Sequence, residues 1–133
     1  MTNIDQTGLR SIAQECVELV DAEFGRRLDW SVDSLTVLDE ICMELLADGS
    51  LHGDRLDLWW KLTGAYAGEV VVSTYAGQWI AHEQASGTYA IKALTVTGFP
   101  FALASRILTG EPYKSFAAFA RALPVISERQ TGD

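Results

Sequence analysis

Basic residues are scarce in this chain. Ten Lys and Arg stand against eighteen Asp and Glu, a formal charge of −8. So few cations offer little to a phosphate backbone, and nucleic-acid binding is disfavoured. Cysteine is scarce too. Cys16 and Cys42 form no C-x-x-C pair and fall on apolar helix stripes, so they read as small buried thiols of a reducing compartment. The only histidines are His52, in a turn, and His82, in a strand pattern. No H-x-x-x-H, H-E-x-x-H or Cys/His cluster occurs, so no metal ligand set is assigned. Ser73, Ser86 and Ser105 lack a G-x-S-x-G context, and Gly64, Gly68 and Gly77 match no phosphate-binding loop. No catalytic residue and no cofactor follow from these patterns. Long apolar runs are missing as well. The longest uncharged one, Ala93 to Ser105, has thirteen residues, is broken by Gly98 and Pro100, and is too short for a bilayer. Met1 leads into a polar segment with neither a basic nor an apolar block, which argues against a secretory signal. The expectation is a soluble, cytoplasmic protein with no membrane partner.

What is present is a core and an uneven charge. A hydrophobic share of 48% over 133 residues supports a single domain, expected over 1–126, with a frayed tail at 127–133. The first 57 residues hold thirteen acids and four bases, a net of −9, while the remainder is close to neutral. An acidic helical front attracts a basic protein and speeds its encounter. The plainer use of such a face is solubility.

Periodicity predicts helices over about 7–23 and 32–47, joined as an antiparallel pair. The first places Leu9, Ile12, Ala13, Cys16, Val17, Val20 and Phe24 on one stripe; the second places Leu35, Leu38, Ile41, Cys42, Leu45 and Leu46 there. Ser31 suits the cap of the second, and Asp39, Glu40 and Glu44 face outward as candidate partner-surface residues. A third helix follows Gly53, with Asp54 as cap and Asp57 as its reciprocal partner. It loses its stripe beyond Trp59 because nearly every residue is apolar, the mark of a central helix. Its end falls between Val70 and Tyr75. After a turn at Ala76 and Gly77, 78–83 alternates and 88–96 reads as one or two strands, a small antiparallel hairpin or meander with a polar connector at 84–87. Pro100 opens a short helix that Gly110 stops, and a last helix runs over about 115–123 until Pro124 ends it.

The segment Leu58 to Trp79 is apolar on nearly every side and holds one acid, Glu69. At helical spacing Glu69 stacks with Leu62, Ala65 and Tyr66. A carboxylate there loses hydration and must be paired, hydrogen-bonded or protonated. Glu69 is therefore either a general acid or base at the floor of a pocket, or a buried anchor bonded to backbone N–H groups, a Tyr hydroxyl or Arg106. In the second reading Glu69→Ala costs on the order of 3 kcal/mol and Glu69→Gln less. Gly64 and Gly68 each weaken the helix by about 1 kcal/mol against Ala, which predicts a neighbouring backbone against that small face. Trp59, Trp60, Tyr66, Trp79, Tyr89, Phe99 and Phe101 are expected to form the layer between this helix and the sheet, part of which could line a pocket.

Gly64-Ala65-Tyr66-Ala67-Gly68-Glu69, then Gly77-Gln78-Trp79, then Phe99-Pro100-Phe101 and Arg106-Ile107-Leu108-Thr109-Gly110-Glu111 make a pattern. Over roughly 30–123 it resembles a group of small uncharacterised bacterial domains of unknown function with G-x-Y-x-G-E, G-x-W and P-F elements. The resemblance implies an α+β unit with Glu69 and Trp79 close together. Some of the group resemble domains near bacterial toxin–immunity genes. The group's usual Asn before Pro-Phe is Phe99 here.

The reading is an α+β fold in which helices surround a central buried helix and a small antiparallel sheet covers one side. Its function is that of a non-enzymatic protein-binding or regulatory module, immunity-like in form, that meets a basic protein through its acidic helices. The alternative is a small-ligand binder or enzyme with a pocket near Glu69, using Tyr66, Trp79, Tyr89 and Arg106. A homodimer built on exposed aromatic surface is a third form.

Overall fold

A computed structural model describes residues 8–85 and 88–131, and within them the fold is α+β: five helices and a three-stranded antiparallel sheet. The expected helix start at Thr7, Ser86 and Gly87 of the expected connector, and the last two residues of the expected tail lie outside the described residues.

Helix α1 is Leu9–Phe24, with Leu9, Ala13, Cys16 and Val20 buried along the predicted stripe. Gly25 ends it at φ 63°, in the left-handed region, and its N–H bonds the Asp21 carbonyl. Helix α2 is Ser34–Ala47, two residues later than expected at its start because 31–33 form a turn. Ser31 still serves the helix start, its Oγ accepting the Ser34 N–H at 3.1 Å. Leu46, expected on the stripe, is exposed. The closest packing of α1 and α2 is with other helices rather than with each other as an antiparallel pair. Helix α1 packs along the third helix and α2 packs against the last one. The connection between them is held elsewhere: the Trp30 N–H donates to the hydroxyl of Tyr66 at 2.8 Å.

Helix α3 is Gly53–Tyr75. His52, extended, precedes it, Asp54 sits in its first turn, and no side-chain cap forms, so the expected Asp54–Asp57 box is absent. Every residue from Trp59 to Val71 except Lys61 is buried. The helix touches α1 on one side and, on others, the fourth helix and the sheet.

The sheet has the order β1 (Gln78–Ile80), β2 (Ala90–Ala93), β3 (Val96–Gly98), with Trp79 opposite Ile91 and Ile91 opposite Gly98. Strand β1 stops short of the expected 78–83, and 83–85 form a 3₁₀ turn instead. The β2–β3 hairpin turns on Leu94 and Thr95 at φ 54° and 77°, left-handed values that a β-branched residue rarely adopts.

Helix α4 is Pro100–Leu108, opened by Pro100 as predicted. Helix α5 is Phe116–Thr131, and Pro124 lies inside it rather than at its end. The expected tail is therefore helical from Ser127 to Thr131. A proline removes the hydrogen bond to the carbonyl four residues back. That carbonyl belongs to Ala120, and the Tyr75 hydroxyl at the end of α3 donates to it at 3.0 Å. The orphaned acceptor is satisfied and the helix runs on.

The glycine face of α3 is covered by rings, not by a backbone. A methyl group at Gly68 would overlap the six-membered ring of Trp79, and one at Gly64 would overlap the ring of Phe101. Trp60, Phe101 and Trp79 form a continuous layer, with centroids 5.3 and 5.9 Å apart. The Trp60 Nε1–H donates to the Phe101 carbonyl at 3.0 Å. Each ring buries roughly 150–250 Å², which outweighs about 1 kcal/mol of helix propensity lost per glycine. Of the seven aromatics expected between α3 and the sheet, Trp60, Trp79 and Phe101 form this layer, Phe101 coming from α4, whereas Trp59 packs on Phe24 and Tyr66 on Trp30.

Candidate functional site

Glu69 projects from the last third of α3 and is 9% exposed. Its two oxygens are divided between two donors. Oε2 accepts the Trp79 Nε1–H at 2.7 Å, and Oε1 accepts Arg10 Nη1 at 3.3 Å. The first is short, as expected for a charged acceptor. It pins the Trp79 ring over Gly68, so the glycine and the acid one residue on hold the same side chain. The Arg10 guanidinium lies 3.8 Å above the Trp30 ring, a cation–π contact. Trp30 in turn packs on Tyr66 with centroids 5.0 Å apart.

The tyrosine closes the chain of contacts. Its hydroxyl accepts the Trp30 N–H and lies 2.6 Å from Ser34 Oγ. Ser34 donates its proton to the Ser31 carbonyl at 2.6 Å, so the Tyr66 O–H is the donor to Ser34. Burial raises the Tyr66 phenol above its ordinary value, against the opposing pull of Ser34 and Trp30. The phenol is a protonated strut. Trp30 itself has φ 70°, an uncommon value outside glycine, held by this bond and this packing.

The arrangement ties α1, the α1–α2 connection, α3 and β1 through one carboxylate. Both oxygens of Glu69 are engaged by the protein's own donors, Trp79 and Arg10. The partner expected in Arg106 is instead Arg10. Arg106 is exposed on α4, beside Phe99 and Phe119. Tyr89 is also elsewhere. It lines a cleft of about 230 Å³ with Trp60, Phe99, Phe101 and Ser105, and Glu69 is not among the lining residues. Of the five candidates, the structure brings Glu69 and Trp79 into contact, as the resemblance implies. Tyr66 joins them only through Trp30 and Arg10. Arg10 lies 59 residues from Glu69, and nothing local in its acidic helix signals the pairing.

The three candidate surface acids separate. Asp39 is not a free surface charge. It accepts Ser115 Oγ and the Phe116 N–H, each at 2.7 Å, and the Ala117 N–H at 3.2 Å. It caps α5 from a different helix, beside the local cap in which Ser115 Oγ accepts the Ala118 N–H at 3.1 Å. Glu40 and Glu44 are exposed, Glu40 in a 2.7 Å surface pair with Arg26. Between them Met43 is 69% exposed.

The remaining candidates for chemistry are quiet. Cys16 and Cys42 are buried and unbonded to each other, and burial pushes both thiols far up, away from the reactive thiolate. Among the described residues no three His, Cys, Asp or Glu side chains converge as a metal site would need, and no helix is long and apolar enough to cross a membrane. Comparison of the chain with protein-family models, with curated proteins and with solved structures finds no match.

Proposed function

We propose that this chain is a non-enzymatic protein-binding or regulatory module that meets a basic partner through the exposed acids of α1 and α2. The observation that carries the reading is the α2 surface. Met43 stands 69% exposed between Glu40 and Glu44, on a helix whose opposite face is fully buried. An apolar side chain left in water among carboxylates suits a contact that is both steered by charge and closed by burial. The engagement of Glu69 by Trp79 and Arg10 supports the same reading, since it withdraws the acid that a reaction would need. An immunity-like inhibitor, which neutralises a basic protein by covering it, is one form of such a module. The resemblance to the bacterial group of unknown function and a cytoplasmic setting belong to this proposal.

A pull-down from the native host's lysate at low and high salt tests it, using the wild-type chain and a variant carrying E40Q and E44Q. The expected result is a basic protein retained at low salt, released at high salt and weakened in the variant. Retention that ignores both salt and the substitutions, or no retention at all, overturns the reading.

A second reading rests on the cleft lined by Trp60, Tyr89, Phe99 and Phe101. Its aromatic walls and the polar groups of Gln84, Thr88 and Ser105 fit a small planar ligand. A thermal-shift screen of aromatic compounds tests it. Stabilisation that disappears in Tyr89→Ala supports this site, and no stabilised hit removes it.

A further inference from the structure

Helix α1 carries an apolar residue off its buried stripe, and α3 carries one that the fold leaves uncovered. Leu19 is half-buried, and Leu58 is 39% exposed. These residues of different helices meet. Leu19 and Ala22 from α1 and Leu58 and Leu62 from α3 form the apolar surface of a groove of about 370 Å³, and Glu15 and Glu18 complete its lining. No lysine or arginine is among those six. Of the bases on the two helices, Arg10 pairs with Glu69 and Arg55 with Glu23, and Lys61 of α3, next to Leu62, is not part of the lining. The α1 side of the groove, Glu15 to Ala22, spans about two helical turns, roughly 10 Å.

We infer that this groove receives an amphipathic basic helix of a partner protein. The inference rests on the binding reading above and makes it specific. Apolar side chains at i and i+3 or i+4 of such a helix would cover Leu19, Leu58 and Leu62, the mode in which a helix lies in a groove. Its Lys and Arg would reach the carboxylates of Glu15 and Glu18. Charge decides between occupants. A second copy of this chain brings its own −8 and is repelled, whereas a basic segment gains from the same field. An acidic or neutral apolar helix would leave the rim uncompensated.

The test uses synthetic peptides and the full chain. One peptide is a Lys/Leu helix with Leu at i, i+3, i+4 and i+7; a second has the same composition in scrambled order; a third replaces Lys with Glu. Binding is read by fluorescence anisotropy of labelled peptide, and helix induction by circular dichroism. The amphipathic basic peptide is expected to bind and become helical, with the scrambled peptide at least about tenfold weaker and the acidic one silent. Leu58→Ser, and separately the double change E15Q and E18Q, should each weaken binding about tenfold. Both lie on exposed surface, and unchanged thermal unfolding confirms that the variants fold. Equal binding of ordered and scrambled peptides, or indifference to Leu58→Ser, would show attraction by charge alone. That outcome overturns the groove and leaves the wider basic-partner reading to its own pull-down. Absence of binding by every peptide also overturns the groove. Concentration-dependent dimerisation that Leu58→Ser abolishes would assign the groove to a second copy and overturn the inference.

Discussion

Asp39 and Glu69 carry the same charge as Glu40 and Glu44, yet the two pairs are put to opposite uses. Asp39 accepts three hydrogen bonds at the start of α5, and Glu69 accepts one from Trp79 and one from Arg10. Both tie together segments far apart in the chain. Glu40 and Glu44 stand in solvent on either side of Met43, and only Glu40 has an ion partner among the described residues. Adjacent positions on α2 thus hold a structural acid and an available one. Net charge does not distinguish them. What does is whether the donors brought to a carboxylate are shielded from solvent, as at Asp39 and Glu69, or stand in it, as Arg26 does beside Glu40.

The largest expected break in this contrast comes from Gly68→Ala. The new methyl group overlaps the Trp79 ring, which Glu69 holds in place. Overpacking should cost about 3 kcal/mol, even after roughly 1 kcal/mol gained in helix propensity. Chemical denaturation, read as a midpoint shift at constant slope, measures it. An unchanged midpoint would mean that Trp79 is free to move and that Glu69 does not anchor it. Glu69→Ala comes next. Arg10 is 57% exposed, so solvent screens much of that pair. The larger loss is the buried hydrogen bond from the Trp79 N–H to Glu69, and the total should be about 2 kcal/mol. Glu69→Gln keeps an acceptor for the indole and should lose less than half as much.

Tyr66→Phe should cost about 1–2 kcal/mol, because the Trp30 N–H and the Ser34 hydroxyl both lose a partner. It also has a pH signature. The folded phenol is raised above its ordinary value of 10.0, so the folded state holds this proton more tightly than the unfolded one. That contribution is fully present below pH 10 and is lost as pH rises from there through the folded value. The wild-type chain should therefore lose stability more steeply above pH 10 than the Phe variant; parallel pH profiles would contradict the strut. Asp39→Ala should cost about 1 kcal/mol, the ordinary value of a helix cap, and unfolding of α5 followed by circular dichroism should report it.

Much of this architecture was legible from the sequence, and the gaps have physical causes. The stripe of α1, the unpatterned burial of α3 and Pro100 at the start of α4 are local signals, and each appears where periodicity and backbone chemistry place it. Pro124 also gave a local signal, but a distant residue overrode it: Tyr75 bonds the carbonyl that the proline orphans. The position of the β2–β3 turn within 88–96 was not legible, because Leu94 and Thr95 carry no turn chemistry and are held in left-handed φ by the fold. At the candidate site, Glu69 was recognisable as an isolated acid in an apolar run. Its partner was not, since Arg10 is one base on an acidic helix and the pairing exists only after α1 packs on α3. Asp39 looked like its neighbours for the same reason, its partners lying 76 to 78 residues away.

The smallest expected effect is the most discriminating. E40Q and E44Q together should move the unfolding midpoint by less than about 0.5 kcal/mol, as changes of solvated surface groups do. Two opposing terms account for this. Removing two negative charges from a chain of net −8 relieves self-repulsion. Arg26, meanwhile, loses an exposed ion partner whose contribution is of the order of a few tenths of a kcal/mol. A drop as large as that of Asp39→Ala would place Glu40 or Glu44 among the structural acids and erase the contrast on α2. If stability holds while a basic partner is lost, the two carboxylates serve the surface and not the fold. The pull-down then reports recognition rather than damage, because the same substitutions have been shown to leave the domain intact.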